Sequence, residues 1–296
     1  MTPIMELRNV TKVYGSSGLL AKKGTAALKS MNLALEADDP SILAVVGESG
    51  SGKSTLASLI LGFISATEGE VLYNGKDVKR LSNAERQVYR REVQAIFQDP
   101  FAVYNPFYRV DHVLNVPLSK FKLARTKAEA QRMMEEALSA VGLRPEETLG
   151  RYPHQLSGGQ RQRIVVARAL MLKPKLIIAD EPVSMVDASL RATILESLRT
   201  LNKDLRIPVV YITHDLATAY HVSDQIVVLF RGEVVESGET ETVIKNPQHS
   251  YTKLLIDSIP WPDPERRWGQ TKEEFEQELH SVARQATASG SRWMPE

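Results

Sequence analysis

Ile42-Leu43-Ala44-Val45-Val46-Gly47-Glu48-Ser49-Gly50-Ser51-Gly52-Lys53-Ser54-Thr55-Leu56-Ala57-Ser58-Leu59-Ile60-Leu61 passes from one apolar run, through a glycine and serine loop, into another. The first run, Ile42–Val46, lies between Asp38-Asp39-Pro40 and Gly47 and suits a strand buried on both faces of a parallel sheet. The second, Thr55–Leu61, reads as a helix. Between them, Gly47 to Ser54 matches G-x-x-x-x-G-K-[ST]. Gly47, Gly50 and Gly52 let the backbone fold tightly, so that successive N–H groups through Ser49 and Ser51 point into one concavity. The helix start at Ser54-Thr55 adds its dipole and free N–H groups. Lys53 is placed to reach β- and γ-phosphates, and Ser54 can offer a hydroxyl to Mg²⁺. The plain alternative is a Gly/Ser turn ahead of a helix; the apolar strand before it and the helix after it favour a nucleotide.

Outward from this stretch, strand and helix signals alternate. MELRNVTKVY, from Met5, and Leu28 to Leu35 alternate in polarity and read as strands, with the polar segment Ser16 to Thr25 as a loop between them. Asn74-Gly75 signals a hairpin. From about Asn83 to Leu170 helical signals replace strand signals. Within that region Thr126 and Glu129 predict a helix start, apolar spacing carries the helix to Val141, and Gly142 ends it. Met133-Met134 reads as helix core or a partner-facing surface. Short apolar runs at Leu176–Ala179, Val209–Ile212 and Ile226–Phe230 follow, with a helix-like Leu190–Leu201 among them and a turn at Arg231-Gly232-Glu233. Such strand–helix repetition implies an α/β layer around a parallel sheet.

Composition excludes several classes. The 296 residues hold 37 basic and 36 acidic side chains, a formal charge of +1, which argues against a strongly basic nucleic-acid binder. With no cysteine, disulfides, thiolate metal sites and iron–sulfur clusters are ruled out. The opening MTPIMELRNV lacks the pattern of a secretory signal. The longest stretch free of Asp, Glu, Lys and Arg, Ser54 to Thr67, is too short to span a bilayer, so any membrane role is expected to be peripheral or through a partner.

A second site signal is Leu176-Ile177-Ile178-Ala179-Asp180-Glu181, an apolar strand ending in two carboxylates. Asp180 can hold Mg²⁺, usually through water, and Glu181 can polarise an attacking water.

Leu156-Ser157-Gly158-Gly159-Gln160, followed by Arg161-Gln162-Arg163, resembles the signature sequence of the ATP-binding cassette (ABC) family. The resemblance runs from about Met5 to Ile259, with several motifs in the family's order. It implies an α/β P-loop NTPase core, RecA-like, with a parallel sheet and flanking helices, plus an antiparallel β-subdomain and an α-helical signature subdomain at roughly 99–163. Residues 1–259 would form the ATPase domain, and 260–296 a linker with a surface helix or partly disordered tail. By the same resemblance the cofactors are ATP and Mg²⁺. Tyr14 is implied to stack on adenine, and Gln98 to touch Mg²⁺ and water and sense the transmembrane partner. Asp187 is implied to carry the D-loop role, although Met185-Val186 departs from the usual Ala-Leu. His214 is implied to be the switch histidine near the γ-phosphate. Lys53, Gln98, Glu181 and His214 are the implied catalytic set, and Ser54, Gln98 and Asp180 the magnesium set. Ser157, Gly158, Gly159 and Gln160 are implied to close on ATP held by the loop of a second ATPase subunit.

Two longer strings resemble the oligopeptide, dipeptide and nickel importers of this family. They are Arg151-Tyr152-Pro153-His154-Gln155-Leu156 ahead of the signature, and Asn246-Pro247-Gln248-His249-Ser250-Tyr251-Thr252-Lys253-Leu254-Leu255 with Ile259-Pro260 after it. The loop Gly18–Thr25 and Glu181-Pro182-Val183-Ser184 look like the second of that group's two ATPase subunits. Two features depart: no cysteine cluster can follow Pro260, and Ser250 replaces the commoner proline. The implied partners are a second, different ATPase subunit, two transmembrane permease subunits and, indirectly, an extracytoplasmic solute-binding protein, at the cytoplasmic face of the membrane. The implied solute is an oligopeptide or a relative such as an oligosaccharide. An exporter ATPase lacks the tail string, and soluble members acting on DNA or the ribosome carry insertions or a second cassette that this chain does not show.

Overall fold

Strands β1 (Met5–Tyr14) and β2 (Thr25–Leu35) pair antiparallel, as their alternation predicts. The computed structural model describes residues 3–15, 24–37, 40–98, 103–184 and 188–258. The loop Gly18–Thr25, expected to mark the branch, lies outside them except for Gly24 and Thr25, as does the extension from Ile259 onward. The unbroken apolar run becomes β3 (Ile42–Val46), and helix α1 (Lys53–Ile60) begins directly at the lysine. Strands β4 (Glu68–Tyr73) and β5 (Lys76–Asp77) form the expected hairpin. Asn74 and Gly75 both have positive φ, 48° and 75°, which matches the right-handed strand twist at a two-residue turn. These strands make one antiparallel sheet, in the order β2-β1-β4-β5.

Helix α2 (Asn83–Glu92) starts on a capping box between Ser82 and Glu85. Strand β6 (Val93–Ile96) follows at once. The region read as helical from Asn83 therefore contains a strand. β6 is four residues long and carries Gln94, so it shows no period of its own. The Gln94 side-chain amide donates to Arg90 O at 2.6 Å, and pairing alone makes the segment a strand. Helices α3 (Asp111–Lys120), α4 (Lys127–Ala140), α5 (Pro145–Thr148) and α6 (Gly158–Met171) come next. The Thr126 hydroxyl caps α4 by accepting from Glu129 N at 3.1 Å. The Glu129 carboxylate reaches one residue further back than a capping box requires, to Arg125 N. Gly142, at φ 69°, ends α4 as expected, with Leu143 N donating to Leu138 O at 2.9 Å. Met134 is buried in the core and Met133 packs against it.

The remaining elements are β7 (Leu176–Asp180), α7 (Ala188–Leu205), β8 (Val209–Thr213), α8 (Leu216–Val222), β9 (Gln225–Phe230), β10 (Glu233–Glu239), α9 (Thr240–Lys245) and α10 (Ser250–Asp257). The second sheet has the order β10-β9-β3-β8-β7-β6. Its pairs are parallel except β9 with β10, which Arg231 and Gly232 join in a turn of positive φ.

Burial on both faces explains the unbroken apolar runs. Ile42, Ala44 and Val46 face one core with Val209, Tyr211, Ile226 and the helices α3, α4 and α6. Leu43 and Val45 face the other, with Val210, Ile212, α1 and the antiparallel sheet. Period-2 geometry thus sorts one run into two cores, and each fully buried aliphatic side chain contributes about 1.5–3 kcal/mol.

Gly69 is where the antiparallel sheet has no room for a side chain. A Cβ there would lie 2.3 Å from Asn9 O and 2.4 Å from Arg8 O, and φ is +79°. Gly69→Ala is expected to cost about 2–4 kcal/mol, read as a lower urea midpoint at unchanged slope. Gly158→Ala, with nothing within 4 Å, is expected to leave that midpoint within experimental error.

Candidate nucleotide site

Sheet order brings the motif residues together. β8 lies between β3 and β7, and their carboxyl ends are in register: Val46 opposes Thr213, and Ile212 opposes Asp180. Gly47, His214 and Glu181 therefore leave three adjacent strands at one level, about 5 Å apart from strand to strand. β6 is next, with Ile96 opposite Ala179, so Gln98 emerges on the same edge, exposed. Ligands of open α/β sheets bind at this edge.

The loop is shaped by backbone crowding. A Cβ on Gly47 would lie 2.2 Å from Leu229 O, and one on Gly52 2.4 Å from Ala27 O, with φ +149° and +114°. Gly50, at φ +83°, faces open space, and Ser49 is exposed. The Ser51 hydroxyl is buried without a hydrogen-bond partner, while Ser51 O accepts from Gly232 N at 2.9 Å. Lys53 is only 6% exposed, and its ammonium donates to Gly47 O at 2.6 Å and Glu48 O at 2.8 Å. Burial lowers the Lys53 pKa, opposed by the charges of Glu181, Asp180 and Glu48. Ser54 is exposed and Thr55 half-buried at the first turn of α1.

Asp180 ends β7. Burial, and then the charge of Glu181, raise its pKa, and Lys53 opposes the rise. Glu181 has φ 46°, rare for a residue with a side chain. Its N–H donates to Ile212 O at 2.9 Å, and Ser184 Oγ donates to its carbonyl at 3.0 Å, which together hold this turn. Glu181 Oε1 lies 3.0 Å from His214 Nδ1, so a proton on Nδ1 is donated to the carboxylate. The expected pair of catalytic side chains thus forms one unit. Among the described residues no cluster of three acidic or histidine side chains could hold a metal. The chain's donors, the Asp180 carboxylate and the Ser54 hydroxyl, with the Gln98 amide emerging on the same edge of the sheet, fit the oxygen coordination of an octahedral Mg²⁺.

Tyr14 is exposed at the end of β1, with the Lys12 ammonium 5.3 Å from its ring centre. Its backbone pairs with Thr25, two residues before the Ala27 carbonyl that crowds Gly52. Ser157 caps α6, accepting from Gln160 N at 3.2 Å, and Gln160 Oε1 accepts from Ser157 N at 2.9 Å. The capped N-terminus of α6 is exposed at Ser157. Gly158 has nothing within 4 Å, and Gly159 is buried. α6 touches the Gln98 segment, since Gln162 Nε2 donates to Phe97 O at 3.3 Å. Asp187 lies outside the described residues. One contact escaped the sequence reading: Glu48 N donates to the hydroxyl of Tyr251 at 2.8 Å. No local pattern could have signalled a bond between residues so far apart in the chain.

A phosphate loop at a strand–helix junction, facing a carboxylate pair at the next strand ends, defines a P-loop nucleotide hydrolase. Comparison with known proteins takes this further. The ABC transporter family model matches residues 28–184, and the model of the oligopeptide/dipeptide transporter C-terminal region matches 235–287. The oligopeptide transport ATP-binding protein OppF of Haemophilus influenzae is 40% identical over 255 residues, 86% of this chain and 76% of that protein. OppF of Escherichia coli is 41% identical over 239 residues, 81% of this chain and 71% of that protein. The dimeric structure of the ATP-binding cassette MJ0796 in a post-hydrolysis state, bound to ADP and Pi, matches with TM-score 0.69 at 32% identity. That match covers 80% of this chain and 98% of the other. The chain belongs to the ABC transporter family, as an ATP-binding subunit that hydrolyses ATP to power transport.

Because the folded state raises the Asp180 pKa, the ionised carboxylate opposes folding above that pKa, and the effect vanishes below the unfolded value. Asp180→Asn is therefore expected to raise the melting temperature of the nucleotide-free protein at pH 7, and by progressively less as pH falls toward the unfolded carboxylate's value, while ATP hydrolysis is lost.

Proposed function

We propose that this chain is the energy-coupling ATPase of an importer for oligopeptides or a related solute such as an oligosaccharide, working as a peripheral subunit at the cytoplasmic face of the membrane. The observation that carries this reading is the union, in one chain, of an ABC cassette with the oligopeptide/dipeptide C-terminal region. No described helix is long and apolar enough to cross a membrane.

The chemistry follows from the edge of the sheet. Gly47 to Thr55 hold the phosphates through backbone N–H groups, and the Lys53 ammonium, already desolvated, turns toward the β- and γ-oxygens. Tyr14 offers an exposed ring to adenine. Ser54, Gln98 and Asp180, together with the phosphates, would hold Mg²⁺, which when bound would supply charge neutralisation of the transferring group. Glu181 orients the attacking water and accepts its proton as the water oxygen bonds to the γ-phosphorus and the bond to the ADP oxygen breaks. His214 Nδ1 lies 3.0 Å from that carboxylate and would meet the γ-phosphate of bound ATP. The outward capping box Ser157-Gly158-Gly159-Gln160 serves ATP on a second ATPase subunit, and Asp187 serves the contact between the two.

Closure of two such subunits around ATP drives the permease. A groove of about 590 Å³ between α2, α3 and α6, lined by Phe63, Arg90, Val113, Val116 and Phe121, supports permease docking beside Gln98. Phe63 is 66% exposed and stacks on Phe97, the residue before Gln98, with ring centres 6.3 Å apart.

Glu181→Gln keeps the shape of the site and removes the base. It is expected to cut ATP turnover at least about 100-fold with ATP affinity retained. Tagged Glu181→Gln protein, captured with ATP from detergent-solubilised native membranes, is expected to bring down two permeases and a second, different ATPase. Recovery of ribosomal or DNA-repair proteins instead would overturn the importer reading, and wild-type turnover would overturn the role of Glu181.

A further inference from the structure

The Gly47–Glu48 peptide unit is held at both ends. Its carbonyl, Gly47 O, accepts from the Lys53 ammonium at 2.6 Å. Its N–H, that of Glu48, donates to Tyr251 Oη at 2.8 Å. Tyr251 is 1% exposed, and its ring packs on Phe230 with centres 4.2 Å apart. Phe230 follows Leu229, whose carbonyl crowds Gly47 from the same side. Burial and ring packing thus hold the tyrosine hydroxyl against the loop.

The helix that carries Tyr251 is itself tied down. Glu236, on β10, accepts from Gln248 N at 2.7 Å and His249 N at 3.0 Å. His249 Nδ1 accepts from Tyr251 N at 3.1 Å, capping α10. All of these residues lie in the segment matched by the C-terminal-region model, 235–287. That segment reaches the phosphate loop through one side-chain oxygen.

We propose that Tyr251 is a positioning residue for nucleotide binding: it orients the Gly47–Glu48 peptide that seats Lys53, and so couples the C-terminal region to ATP affinity. A phosphate loop binds tightly only if its backbone is already arranged before the ligand arrives. Without an acceptor, the half-buried Glu48 N–H must turn toward water, and the carbonyl of the same rigid peptide plane must tilt with it. The Lys53 ammonium then loses its fixed seat. The proposal rests on the reading of Gly47 to Ser54 as the ATP site.

The test uses the full chain and measures Mg-ATP affinity, steady-state kinetics and the Glu48 amide resonance. Tyr251→Phe keeps the ring and removes the acceptor. It is expected to raise both Kd and KM for ATP about fivefold, the size of one net hydrogen bond, with kcat within about twofold of wild type. The Glu48 amide proton is expected to move upfield. In Glu48→Pro, which has no N–H to donate, adding Tyr251→Phe is expected to change Kd no further. An unchanged Kd in Tyr251→Phe with a shifted Glu48 resonance would overturn the proposal. So would a loss of kcat at constant KM, or the same fivefold loss in the Glu48→Pro background. Lys53→Ala separates the two readings. If it binds ATP as tightly as wild type, the site itself is misassigned. If it loses binding while Tyr251→Phe does not, only the role of Tyr251 fails.

Discussion

Lys53 holds a charge almost out of water, and the site depends on how that charge is kept. Two backbone carbonyls accept hydrogen bonds from its ammonium, and the carboxylates of Asp180 and Glu181 supply the opposing charge. Burying an ammonium without such partners would cost several kcal/mol. The arrangement is tolerated because the loop curls around the lysine and because β7 ends beside β8 and β3. The cation is poised for phosphate for the same reason: phosphate oxygens offer full negative charge where the carbonyls offer only a dipole.

The glycines of the loop answer to that geometry. Gly47 and Gly52 are pressed against carbonyls of β9 and β2, so no side chain fits at either position. Gly50 has space around it and needs only its positive φ. All three glycines share a positive φ, and at Gly47 and Gly52 close contact is added to it. Glu181 accepts the left-handed conformation without being glycine, held there by Ile212 O and Ser184. Strain of this kind persists only where neighbours over-determine it, and it is found where a side chain must be aimed.

The helical region obeys a different logic. Its signature residues spend their polar groups on each other in a capping box and leave the start of α6 facing outward. Such an end is complete as a helix terminus and open as an anion site, so it suits a ligand brought by another subunit. The link from α6 to Phe97, and from Phe97 to Phe63, joins that end to the groove beside Gln98.

The sequence alone determined the central strand, the phosphate loop, the carboxylate pair, the hairpin at Asn74-Gly75 and the cap at Thr126. Each is encoded within a few neighbouring residues, by a run of β-branched and aliphatic side chains, a glycine at a positive φ, or a hydroxyl three residues before a partner. It missed β6, whose four residues have no period and become a strand only beside β7. It placed the start of α1 two residues late, because glycine and lysine at a loop do not announce a helix. Tertiary structure alone decided the sheet order that sets Glu181 against His214, and the bond from Tyr251 to Glu48. Those contacts join residues far apart in the chain. Their geometry is set by packing two cores against one sheet, and no local pattern carries that information.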